Sequence, residues 1–227
     1  MTNAEFSARP SERAVINLRP IGAPTSIGLY GLAASSWTLA GLQQGWIPPD
    51  QGKIVALALI GFTFAAQFLA SVFAFVGRDG TVGTAMAVLA LTWLVTGLVL
   101  HSSRPGATST ALGTFLLFSG VTMALVSITA STSKLVMAAV FGVAALRFLA
   151  TGGYELSGSS LWQHTSGILG ILLAVLAMYA GFAAGLEDAL GRTVLPLGRR
   201  GEGKLPSATT PIQTGRLTTE PGVRPKL

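Results

Sequence analysis

The sequence predicts an all-α integral membrane protein with six transmembrane helices and both termini in the cytoplasm, and three observations predict it. Half of the 227 residues are hydrophobic and only 11% are charged, with a mean hydropathy of +0.61, the balance of a chain that lives in lipid. The apolar residues gather into six runs, near 27–46, 52–77, 81–100, 109–130, 133–153 and 161–186. Each is long enough to cross a hydrocarbon core of roughly 30 Å at about 1.5 Å per residue. The basic residues segregate: Arg9, Arg13, Arg19, Arg78, Lys134 and seven C-terminal residues fall on one side, against Lys53 and Arg104 on the other. Twelve against two places both ends inside. Counting only the tail residues near the last helix (Arg192, Arg199, Arg200, Lys204) leaves nine against two.

Taken in order, residues 1–24 are polar, with no apolar stretch of the kind a cleaved signal peptide needs, and an uncleaved, disordered cytoplasmic arm is expected. The transmembrane domain, 25–198, opens at Pro24-Thr25-Ser26, where proline suits a first helical turn and Thr25 or Ser26 can cap it. Trp46 closes the first span and Trp162 opens the sixth, which puts both indoles at the outer interface where an aromatic belt forms. Pro48-Pro49-Asp50, Arg78-Asp79-Gly80 and Ser103-Arg104-Pro105-Gly106 have the chemistry of turns. The second span carries Thr63, Gln67 and Ser71 at i, i+4 and i+8, hence on one face, and the third a looser face of Thr81, Thr84, Thr92 and Thr96. In the fifth, Arg147 lies about 20 Å along the axis from Lys134, in the outer half of the membrane, and the helix is expected to end at Gly152-Gly153. The sixth holds a small-xxx-small pair, Gly181 and Gly185, suited to close helix packing. It stops at Gly191, which can take positive φ; Arg192 faces the negative end of the helix dipole, and Pro196 prevents the helix from resuming. Residues 199–227, rich in Pro, Thr, Gly and Arg, cannot bury a core, and a disordered basic tail is expected.

This composition narrows the function classes. There is no cysteine, which removes disulfides, thiol chemistry and Cys-based metal sites. Two separated histidines, no phosphate loop, no GxSxG turn and no paired intramembrane carboxylates leave an enzyme little to work with, and neither a metal nor a cofactor is expected. The basic excess has no interleaved aromatics of the kind a nucleic-acid surface uses. In a membrane chain it points to topology and anionic lipid.

What remains is the polar material inside the spans, each part with two readings. The start of the first helix, Pro24 to Gly28 and Leu29, is either a well-made helix start or, through its free backbone N–H groups, a place to hold an anion. The Thr63, Gln67 and Ser71 stripe and the looser Thr81, Thr84, Thr92 and Thr96 face either line a path for a small carboxylate or bond neighbouring helices. Arg147 either snorkels to the headgroups or faces the bundle and attracts an anion, paired at rest with Glu155. His164 is either bonded within the bundle or placed to sense protons near neutral pH.

The string Gly191-Arg192-Thr193-Val194-Leu195-Pro196-Leu197-Gly198 after the last span resembles the terminal motif of the acetate uptake transporter family, the acetate/succinate permeases. The resemblance runs back through His164, Gly167, Gly170, Ala177 and Tyr179 at the family's spacing, and Pro24, Gly28 and Leu29 keep part of the family's first-helix signature. It implies a six-helix permease or channel of the plasma (inner) membrane that moves acetate or another short mono- or dicarboxylate such as succinate, either channel-like or proton-coupled. It also implies a ring-shaped homo-oligomer, a hexamer by resemblance, with one path in each protomer. Counting from the matched glycines, the family's pore constriction falls on Leu32 and Ala90 here, in place of an aromatic and a tyrosine. The other reading is a non-transporting membrane sensor or scaffold on the same fold.

Overall fold

A computed structural model describes residues 22–199, and the outlying arm and tail expected to be disordered lie outside the described residues. Six helices account for the bundle: α1 (Thr25–Gln43), α2 (Pro49–Val76), α3 (Gly80–Ser102), α4 (Thr110–Ser131), α5 (Leu135–Ser157) and α6 (Ser160–Leu190). Five of them, α2 to α6, are long and apolar enough to cross a membrane. At 19 residues α1 is also about 28 Å long, but its hydroxyls lower its apolarity. Two of those hydroxyls bond at home, Ser35 Oγ donating to the carbonyls of Gly31 and Leu32 and Thr38 Oγ1 to those of Ala34 and Ser35, while Ser26 Oγ and Ser36 Oγ are buried with no partner among the described residues.

Successive helices pack side by side, and α1 packs against α6, so the bundle closes into a ring. Leu29, Leu32, Leu89, Trp93, Phe141, Phe148 and Leu173 fill its interior. Outward faces stay apolar and uncovered, as with Phe118, Leu125, Ile168 and Val175, the surface that lipid would meet. Small residues let the helices close up. A Cβ at Gly28 would stand 2.8 Å from Met86 Sδ and 2.9 Å from Ala70 Cβ, so α1, α2 and α3 meet there only because that side chain is missing.

Two expected boundaries move. The fifth helix does not end at Gly152-Gly153 but runs on to Ser157, where Gly158 stops it at φ 64°. The two glycines serve packing instead, Gly152 facing the backbone of Gly113 and Gly153 the ring of Trp162. Twelve residues of α5 then precede Arg147 and ten follow, which sets it near the helix midpoint. At the first helix neither Thr25 nor Ser26 caps: Pro24 occupies the cap position without a side-chain bond, and Thr25 is already helical. Just before Pro24, the N–H of Ala23 donates to the Asp188 carboxylate at 3.4 Å, tying the entry of α1 to the end of α6. Within α2, a π-helical stretch, Leu59–Phe64, interrupts the α-helix beside α1.

The end of the bundle that holds both ends of the described chain is tied down. Gly191 ends α6 at φ 62° as expected, and the segment after it folds back instead of leaving. Tyr179 donates its hydroxyl to the Pro196 carbonyl at 2.9 Å, and the N–H groups of Leu135 and Val136 donate to the carbonyls of Gly198 and Leu197. Those two are orphan donors at the start of α5, which no residue of that helix could satisfy. Arg199 pairs with buried Glu187, whose carboxylate also accepts from Thr193, and Lys134 pairs with Asp79, the residue that caps α3. Arg199, expected to begin the disordered tail, is therefore part of the folded latch.

Candidate functional site

Arg147 is wholly buried, its guanidinium turned inward from α5 towards the middle of the ring. Snorkelling is thereby overturned: the face of α5 that carries it is the one packed on α6, and the side chain never reaches the outside. The guanidinium lies over the ring of Trp93 on α3, 5.3 Å from Cζ to the centroid, and Phe148 meets Trp93 edge-on at 5.7 Å. Opposite is α6, where a Cβ at Gly170 would stand 2.8 Å from Arg147 Cζ, with Ala40 of α1 alongside. The cation is thus seated among four helices, and Gly170 leaves the space for it.

None of the three guanidinium nitrogens has a hydrogen-bond partner among the described residues, and neither has Trp93 Nε1. Stacking on Trp93 offsets part of the cost of burying the charge, by about 2 kcal/mol in a desolvated site. It satisfies no N–H. The expected pairing with Glu155 is not made, because that carboxylate accepts from the backbone N–H of Ser109 at 2.7 Å and so ties α5 to the start of α4.

Beyond Arg147, towards the end of the bundle opposite the latch, lies a cavity of about 90 Å³. Its wall includes Gln43, Pro49, Thr96, Leu112, Thr151 and Gln163, so all six helices contribute, and Glu155 lines it too. Thr151 sits one helical turn past Arg147 and Thr96 nearly one turn past Trp93, and neither Arg147 nor Trp93 lines the cavity, so its floor lies about one turn, roughly 5–6 Å along the axis, beyond the pair. Gln43 Oε1 and Thr96 Oγ1 are buried there with no partner among the described residues.

The other expected residues are divided by the structure. Thr63, Gln67 and Ser71 do share one buried face, but they are engaged with neighbouring helices: Thr63 donates to the Gly31 carbonyl at 3.2 Å, Gln67 to that of Gly28 at 3.4 Å and Ser71 to that of Gly83 at 2.8 Å. Only Gln67 Oε1 is left over. The looser face of α3 splits, with Thr92 and Thr96 buried and Thr84 exposed. Leu32 and Ala90 are fully buried in the ring interior, as are Gly28 and Leu29 in the seam with α2 and α3, while Pro24 is half-buried at the latched end. His164 is not at the cavity. It is bonded within the bundle, its Nδ1 3.0 Å from Gln44 Oε1, while Gln44 Nε2 donates to the His164 carbonyl and fills the space over Gly167. Arg192 is exposed. Thr96 was expected only as part of the looser face of the third span, and Trp93 and Gln43 were not singled out from sequence; for Trp93 a signal existed, since it lies mid-span whereas Trp46 and Trp162 mark span ends.

No family model matches the chain. An uncharacterised protein of Methanothermobacter thermautotrophicus is 32% identical over 188 residues, covering 76% of this chain and 89% of that protein. Among solved structures, the bacterial acetate channel SatP, of the acetate uptake transporter family, is similar with a TM-score of 0.70 at 23% identity, over 78% of this chain and 99% of the channel. The resemblance drawn from the terminal motif therefore holds at the level of the fold.

Proposed function

We propose that this chain, which belongs to one family with the uncharacterised Methanothermobacter thermautotrophicus protein and has the fold of an acetate channel, conducts acetate or a similar short carboxylate through the middle of its own helix ring. The observation that carries the reading is Arg147, a fully buried cation none of whose guanidinium nitrogens has a partner among the described residues. A charge at the centre of a membrane helix costs roughly 2.5–3.5 kcal/mol on insertion scales, and an unpaired one has no structural use that leucine would not serve better. A small carboxylate supplies what is missing, because its two oxygens accept two parallel N–H bonds from one guanidinium. It also needs such help: with a pKa near 4–5 it is almost wholly ionised at neutral pH, and an anion does not enter hydrocarbon unaided.

In this reading α1 is the sixth transmembrane span, both termini are cytoplasmic, and the cavity at Gln43, Thr96 and Thr151 is the outer mouth in the plasma membrane. Leu32 and Ala90 then line the stretch between Arg147 and the latched inner end, and copies of the chain assemble into a ring-shaped homo-oligomer. Uptake of labelled acetate into proteoliposomes carrying the full chain tests this. Saturable uptake, competed by unlabelled acetate or succinate and not by chloride, is the expected result. Uptake no faster than in protein-free vesicles would leave the sensor or scaffold reading in its place.

A further inference from the structure

Trp93 lies well inside α3, is 1% exposed, and its Nε1 has no partner among the described residues. The other three tryptophans, Trp37, Trp46 and Trp162, are half-exposed or more open, the usual condition of an indole that wets its N–H at a membrane surface. Trp93 has no such outlet. An indole N–H can only donate, and Phe148, its edge-on neighbour, offers no acceptor. As a stacking partner for Arg147 alone, phenylalanine would serve without a buried donor to satisfy. Every unpaired polar atom on Trp93 and Arg147 is an N–H group, so whatever completes the two is an acceptor, and the charge on Arg147 selects an anionic one.

Resting on the reading of Arg147 as a carboxylate seat, we infer that Trp93 is a second binding residue, donating its indole N–H to the same carboxylate that Arg147 holds. The seat is then built from two helices, α3 and α5. A carboxylate offers about four lone-pair sites on two oxygens; the guanidinium fork takes two and the indole a third. A fork with a third donor beside it suits a planar, two-oxygen anion and discriminates against a spherical halide.

The experiment uses the full chain in nanodiscs and sodium acetate as the probe, with sodium chloride as control. Trp93→Phe keeps an aromatic face over Arg147 and removes only the N–H; it is expected to weaken acetate affinity about tenfold, the effect of one charge-assisted hydrogen bond, with the oligomer unchanged in size. A second variant leaves Trp93 intact: with Trp37, Trp46 and Trp162 all changed to Phe, Trp93 is the sole indole, and its emission should shift saturably with acetate at the midpoint of binding. Wild-type affinity in Trp93→Phe, or an unchanged Trp93 emission while acetate binds, would overturn the inference and leave Arg147 as the seat. Absence of acetate binding to the wild-type chain would overturn both.

Discussion

Two sets of polar side chains lie inside this ring, and they differ in what they have been left to bond. On α2, Thr63, Gln67 and Ser71 each donate to a backbone carbonyl of α1 or α3, so the stripe holds three helices together. On α3 and α5, Trp93 and Arg147 are comparably buried and donate to nothing among the described residues. Both sets put polar groups inside a membrane span, and from the sequence both the stripe and Arg147 were candidates for a path. Partner accounting separates them: a polar group that already has its bond is structure, and one held ready without a bond is available to a ligand.

The largest effect should come from Arg147. Arg147→Gln keeps a polar side chain of similar reach but removes the charge and the fork, and should lower acetate influx by at least tenfold. Arg147→Lys restores the charge as a point donor and should rescue it only in part. Since the site is buried, raising the salt should leave the difference in place, whereas a water-exposed site would lose it.

Gly170→Ala comes next. The added Cβ would fall 2.8 Å from Cζ of Arg147, so the guanidinium must shift although no charge changes. Influx reduced several-fold in oligomers of normal size is the expected result, and unchanged influx would mean that the seat tolerates displacement.

At the latched end, two truncations sharpen the contrast between folded and dispensable chain. Stopping after Gly198 removes Arg199 and strips buried Glu187 of its ion pair, which should lower the unfolding temperature of the purified protein. Stopping after Arg199 spares the pair and is expected to leave both stability and influx within about twofold.

The smallest effect belongs to the α2 stripe. Ser71→Ala deletes one interhelical bond, worth about 0.6 kcal/mol on average in membrane proteins, so melting should shift slightly and influx not at all. A large loss of influx with unaltered melting would return the stripe to the path.

How much of this was legible beforehand follows from the same distinction. The spans, the helix stop at Gly191 and the common face of Thr63, Gln67 and Ser71 depend on local periodicity and turn chemistry, which a sequence carries directly. The ring closure by α1 and α6, the return of Leu197 and Gly198 to cap α5, and the engagement of Glu155 by Ser109 depend on residues 46 to 165 positions apart, which no spacing rule reports. Gly152-Gly153 misled because glycine marks close packing as readily as it marks a helix end. Trp93 and Arg147 were both visible as residues out of place; that they lie together, without partners, was not.

Equilibrium binding of labelled acetate to the purified full chain, wild type beside Arg147→Gln, tests the central claim most directly. The account predicts one saturable site per chain in the wild type and its loss in the variant, with both proteins forming oligomers of the same size. Equal saturable binding by the two would contradict it and place the carboxylate somewhere other than Arg147.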